Sequence, residues 1–208
     1  MDLNKLIEIG KKDLDISSRA NQVKDSYDKA VNSYSLALNE ARNRLIDIFF
    51  DEVEEIFSDE EKYEIENNRD VATHKNIIIQ IKGTEIKIAL TVINNGKREL
   101  NLPIKIHVTR GKSVGEKNID FRFTNANVYR FNESFKNLNV DQLSAKQLDE
   151  MERENQVVLQ HINKLKALDK VSYRILQNAG SPIGGVINES EKFKDVLERS
   201  LDLMTILN

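Results

Sequence analysis

Apolar side chains recur at alternating steps of three and four from Ile9 to Ile48, through Ile16, Ala20, Val23, Tyr27, Ala30, Tyr34, Ala37 and Ala41, with Asp13 and Arg44 interrupting the series. This seam dictates one long helix, or two nearly collinear ones, whose apolar edge must find a partner surface. If it is continuous over residues 13–57, a rise of about 1.5 Å per residue makes a rod of roughly 65 Å. The seam is built from Ala and Tyr rather than Leu, so a partner backbone can approach at the alanines while the tyrosines fill wider gaps. Val31, Leu38, Leu45, Ile46 and Phe49 broaden the stripe, which predicts more than one neighbouring element. Ser58 and Glu61 have the spacing of a capping box and predict a break near Phe57, followed by a short acidic helix to about Asn67.

From Asn76 the apolar period becomes two. Ile77, Ile79 and Ile81 alternate with polar residues except at Ile78. Lys82-Gly83-Thr84-Glu85 reads as a turn, and Ile86, Ile88, Leu90 and Val92 alternate again, which predicts a hairpin. Asn94-Asn95-Gly96-Lys97 predicts a second turn, leading to Leu100, Leu102, Ile104, Ile106 and Val108. Pro103 lies inside that run and has no N–H to give to a ladder, so an edge or a bulge is expected there. A loop over Arg110 to Lys117 then leads to Ile119, Phe121 and Phe123, and to a last run from Val128 to Phe131.

Helical spacing returns after Asn139 with Leu143, Leu148, Met151, Val158, Ile162 and Leu165. Asn155 falls on this seam, as polar residues that fix register often do. The pattern reaches about Leu176, breaks over Asn178-Ala179-Gly180-Ser181-Pro182, and resumes behind Asn188 and Glu191, a further capping box, with Phe193, Val196, Leu197, Leu201 and Met204 on one side.

The fold class that follows is α+β. It comprises a long N-terminal helical arm (residues 1–70), a central antiparallel β-meander of four or five strands (71–136), and C-terminal helices (137–208) packing back as a coiled coil or bundle. Antiparallel return of the arms within one chain is the simplest arrangement; a dimer whose N-terminal rods pair is the alternative.

Charge is partitioned along the same boundaries. Residues 71–136 carry 12 Lys/Arg against 5 Asp/Glu, residues 1–70 carry 10 against 18, and residues 137–208 carry 9 against 11. If the aliphatics of the meander face a core, strand parity sends Lys87, Lys105, His107 and Arg122 to the opposite face, together with Arg130; Arg110, Lys112 and Lys117 lie in the adjoining loop. Such a basic face could hold phosphates, which makes nucleic acid the first candidate partner. Phe121-Arg122-Phe123 and Tyr129-Arg130-Phe131 resemble a base-stacking platform, but parity puts their rings with the core aliphatics. The stretch from Asp51 to Glu66 holds nine carboxylates and offers a second surface, with Asp51, Glu54, Glu55, Glu60 and Glu61 as candidate docking residues for a basic partner.

Catalytic and metal patterns are thin. Arg110-Gly111-Lys112-Ser113 resembles the end of a phosphate-binding loop, yet the first glycine would have to be position 106, which is Ile106, and a strand follows. Asp70 with Glu85-Ile86-Lys87 has the order of a metal-dependent nuclease motif, but Glu85 sits at a turn. His74, His107 and His161 are dispersed, and Ser113 and Ser181 have no activating context. There is no cysteine, which removes disulfides and thiolate chemistry and agrees with a cytoplasmic location. The N-terminus lacks the pattern of a signal peptide, and no apolar run is long enough to span a bilayer. The expectation is a non-enzymatic, oligomeric binding or assembly protein, without cofactor or metal, whose basic β module engages an acidic partner. The alternative is a protein-binding adaptor or phage-type inhibitor acting through the helical arms and the acidic patch, with a metal-dependent nuclease as the distant third.

Overall fold

A computed structural model describes residues 2–69, 75–93, 100–132, 135, 140, 143–176 and 186–204. Its α+β architecture divides into two compact units, residues 1–39 with 129–167 and residues 40–128 with 168–208. The expected turn at Asn94–Lys97, the break at Asn178–Pro182, Asp70 and His74 lie outside the described residues.

One helix, α1 (Leu3–Ile56), accounts for the N-terminal seam without interruption. In the first unit it lies beside α2 (Ala145–Lys166), whose start is fixed by a reciprocal capping box between Ser144 and Gln147. The two helices run in the same direction and not antiparallel. Arg19 bonds Asp149 at 2.6 Å and Glu152 at 3.0 Å near the start of α2, whereas Tyr34 meets Tyr129, whose ring packs on His161 further along. The chain can return this way because residues 129–132, outside any helix or strand, pack the rings of Tyr129 and Phe131 against Tyr27 and Tyr34 of α1. Val128 to Phe131 is therefore not a strand of the meander. Tyr27 meets Phe131 and Phe135 edge to face, and Ala20, Val23, Leu143, Leu148 and Met151 complete the core. Asn155 is half-buried and borders a surface cleft with Arg19, Gln22 and Ser26.

The second unit is built on a seven-stranded antiparallel sheet in sequential order: β1 (Tyr63–Asn67), β2 (Asn76–Ile81), β3 (Ile86–Val92), β4 (Asn101–Arg110), β5 (Ser113–Phe123), β6 (Val171–Leu176) and β7 (Val186–Ser190). Three strands more than the shorter count come from segments with helical expectations. Tyr63 and Ile65 alternate with Glu64 and Glu66, so the segment after Asp59 adds β1 to the sheet and not an acidic helix. Val171, Tyr173 and Ile175 share one face, so the helical pattern stops with α2 and a strand follows. Asn188 belongs to β7 and does not cap a helix.

Ile77, Ile79, Ile88, Leu90, Leu102, Ile104, Ile106, Ile119, Phe121, Tyr173 and Ile175 line the buried face of the sheet. The C-terminal half of α1 covers it: Phe49 is fully buried and packs on Phe50, Phe121 and Phe193. A third helix, α3 (Phe193–Asp202), packs on β6 and β7. Its N-cap residue Lys192 makes no side-chain cap bond; the Glu52 carboxylate of α1 accepts from the Phe193 N–H at 2.6 Å and also from the buried Tyr173 hydroxyl at 2.6 Å.

Pro103 lies in β4, a central strand. Its carbonyl accepts from the Ile93 N–H, and the β3–β4 register ends one residue away at Val92 and Ile104. N–H and C=O of one residue point to the same side of an antiparallel strand, so the missing donor faces the end of the β3 ladder and costs no bond to β5. The segment from Arg110 to Lys117 is likewise no loop. β4 turns into β5 across Gly111 and Lys112, with Gly111 at φ 58°, a conformation that glycine adopts without strain.

Four of the five tyrosines are held above the ordinary phenol range. Burial is the first cause in each; Tyr129, which donates to Glu154, is pushed up to about 12. A raised folded pKa means that this stability is fully present below about pH 10, where the unfolded phenols begin to ionise, and is lost as pH climbs toward the folded values. Denaturation midpoints are therefore expected to hold up to about pH 10 and to fall steeply by about pH 12, with absorbance at 295 nm showing most phenols un-ionised until unfolding.

Candidate interaction surface

The outward face of the sheet carries the predicted cations, and the register shows what stands beside them. Lys105 reaches Glu116 at 2.7 Å, and the His107 ring reaches the same carboxylate at 2.9 Å. Lys105 first and His107 second hold the Glu116 carboxyl below its ordinary value. Arg122 faces Glu189 at 3.6 Å. Asp120, buried on this face, binds the Arg174 guanidinium and accepts from the Asn101 amide at 2.9 Å. Glu64 and Glu66 of β1 pair with Gln80 and Ile78, on the same side as Lys87 and His107. The face is thus a mosaic of both signs. Glu116 and Asp120 have the same parity in β5 as Arg122, so alternation alone could have found them; Arg174 and Glu189 lie in strands that helical spacing concealed.

An open cleft of about 260 Å³ lies at one end of this face, lined by Asn101, Arg122, Arg174 and Thr124 with Phe123 and Val128. Each arginine there has a terminal nitrogen directed at a carboxylate, so the local charges of Arg122, Arg174, Asp120 and Glu189 cancel.

The remaining predicted cations disperse. Arg110 and Lys112 are exposed at the β4–β5 turn, and Lys87, opposite Thr109, is exposed close by. Lys117 pairs with Ile106 and so belongs to the core-side parity, half-buried. Arg130 is exposed in the first unit and belongs to no strand. Gly111 and Lys112 form the turn itself, with Glu85 nearby, and Ile106 is a buried strand residue, so no glycine-rich cradle precedes a helix here.

Most of the acidic stretch is engaged internally. Asp51 at 2.7 Å and Glu54 at 3.4 Å hold Arg69, whose guanidinium lies 5.3 Å from the centre of the Phe50 ring. Glu54 also accepts from Asn67 and Asp59 pairs with Lys62 at 2.6 Å, whereas at Glu60 it is the backbone carbonyl that accepts from Lys82 and the side chain is exposed. Glu55 and Glu61 are exposed. Glu52, absent from the predicted set, makes the most consequential contacts of the stretch, yet they reach residues more than a hundred positions away that nothing local reveals.

The surface that stands out is the start of α1. α2 begins beside Arg19, and every described side chain from Asp2 to Arg19 is exposed. Among them are Leu3 at 71%, Leu6 at 44%, Ile7 at 50%, Ile9 at 47%, Leu14 at 72% and Ile16 at 44%. Six large aliphatics within 14 residues of helix form a contiguous apolar surface rather than scattered exceptions.

No protein-family model, curated protein or solved structure matches the chain. Among the described residues, no helix is long and apolar enough to cross a membrane, and no group of three or more His, Asp or Glu side chains is placed to hold a metal ion.

Proposed function

We propose that this chain is a non-enzymatic binding and assembly protein that docks through its N-terminal helical arm. The observation that carries the reading is the run of exposed aliphatics on Leu3 to Ile16, which no described part of the chain covers. Exposed apolar surface rimmed by charge marks an interaction site on otherwise well-packed proteins, and a helix presenting it engages another helix or a groove.

Nucleic acid is the second reading, favoured by the exposed corner of Lys87, Arg110 and Lys112. The ion pairs on the adjoining face reduce its field, which makes it second. One experiment separates the two. Removing residues 1–15 is expected to leave the melting temperatures within about 2 °C, since surface changes rarely exceed about 0.5 kcal/mol, while abolishing partner capture from a lysate of the native host. Capture that survives the deletion but disappears with added salt or nuclease would favour the basic corner instead.

A further inference from the structure

We propose that the arm seats a second copy of this chain, arm against arm and antiparallel, an inference that rests on the docking reading above. Leu3, Ile7, Gly10 and Leu14 succeed one another at steps of four, three and four, the spacing of a two-helix seam. At about 100° per residue this stripe lies about 140° round the helix from the Ala20–Tyr27 seam that packs in the first unit. A longer α2 would therefore cover Ile9 and Ile16, which prolong the inner seam, and still leave this stripe bare.

Gly10 identifies the kind of neighbour. A Cβ at this position would meet nothing within 4 Å, so the chain's own packing does not require glycine there. Glycine inside a helix costs about 1 kcal/mol relative to alanine, and a helix that approaches closely at that point is what makes use of it. Charge argues that this helix is a copy of itself. Between residues 2 and 19, Lys5, Lys11, Lys12 and Arg19 balance Asp2, Glu8, Asp13 and Asp15 with the signs interspersed. A polyanion, an anionic lipid surface or a strongly charged protein gains nothing from such an arm, whereas an identical arm meets no net repulsion.

The orientation follows from matching volumes. In a parallel, in-register pair, Gly10 faces Gly10 and one layer of the seam has no side chains. In the antiparallel register that sets Leu3 against Leu14 of the second copy, each Ile7 rests on the other copy's Gly10, and all four layers are filled. Area sets the strength. A fully exposed Leu or Ile presents roughly 190 Å², so Leu3, Leu6, Ile7 and Leu14 offer about 900 Å² in a pair, below the roughly 1,200 Å² of stable interfaces. The pair is thus weak, forming at tens of micromolar and above.

Sedimentation equilibrium between about 1 and about 300 µM tests this, the upper limit lying well above the dissociation constant that such an area supports. The wild-type mass is expected to approach twice that of the monomer at the upper end. Ile7→Lys with Leu14→Lys should remain monomeric with unchanged melting. Gly10→Leu is expected to weaken association at least tenfold although it favours the helix itself. Because the chain has no cysteine, mixed Leu3→Cys and Leu14→Cys proteins report orientation: disulfides between unlike copies support the antiparallel pair, and disulfides between like copies overturn it. A wild-type monomer throughout the range, or association indifferent to Gly10→Leu, overturns the second copy as occupant. If deletion of residues 1–15 still abolishes capture of another protein in that case, the docking reading stands without this inference; if it does not, both fall.

Discussion

Replacing Phe49 by alanine is expected to destabilise the sheet-containing unit by about 3–5 kcal/mol, the range for emptying a fully buried aromatic site. The ring is closed on three sides: Phe50 at 5.5 Å and Phe193 at 5.2 Å meet it nearly at right angles, and Phe121 lies at 6.2 Å. These neighbours come from α1, α3 and β5, so they cannot collapse into the vacancy without moving separate elements. Phe49→Leu should recover part of the loss. With about 2–4 °C of melting temperature per kcal/mol at this size, calorimetry should show a shift on the order of 10 °C. Leu36→Ala, at a position 64% exposed on the same helix, serves as the control and should stay within about 0.5 kcal/mol. Equal effects of the two changes would mean that α1 does not pack as described.

Arg174→Met is expected to cost about 3–4 kcal/mol, because it strands the Asp120 carboxylate inside the protein with only the Asn101 amide as partner. Breaking one half of a buried pair is worse than replacing both halves. Asp120→Asn combined with Arg174→Met should therefore be more stable than Arg174→Met alone, which denaturant midpoints at constant m-value would register. The cycle bears on function as well as stability. A cation held for a ligand loses binding when it is replaced and changes stability little; Arg174 is expected to do the reverse. Lys105→Ala, removing an exposed pair with Glu116, should change stability by less than about 1 kcal/mol.

The parts of this fold that were legible in the sequence are those whose period repeats long enough to exclude chance. From Ala20 to Ala41 the three-four spacing selects seven residues, and all seven are buried; Phe50 and Val53, buried further along α1, lie off that spacing. Ile88 to Val108 alternates through two strands, and its inward residues are buried throughout. Shorter segments defeated the same method. Tyr63 and Ile65 give β1 only two inward residues among carboxylates, a pattern equally at home on a helix face. Val171, Tyr173 and Ile175 follow a genuine helix closely enough for their alternation to be absorbed into its spacing. Pairing between β5 and β6 is non-local and leaves no trace in either strand.

For the candidate surfaces, parity located Lys105, His107 and Arg122 on the outward face, but a count of cations along a segment could not reveal the carboxylates set opposite them by register. The arm was legible as a helix and not as an exposed one. Ile9 and Ile16 continue the inner seam perfectly well; only the point at which α2 begins shows that the seam outruns its partner there.

The order of the strands also bears on how the protein is made. From β1 to β5 each strand pairs with the one synthesised just before it, so this part of the sheet can grow hairpin by hairpin as the chain emerges from the ribosome. The pairing of Phe123 with Val171 breaks that sequence. Closing so long a gap costs about 2 kcal/mol more than closing a four-residue turn, by the logarithmic dependence on loop length. Until β6 arrives, the free side of β5 exposes Ile119, Phe121 and Phe123 beside an unpaired row of backbone groups. That interval is when the nascent chain is most open to misassociation, and when a chaperone or low temperature would improve the yield of folded protein.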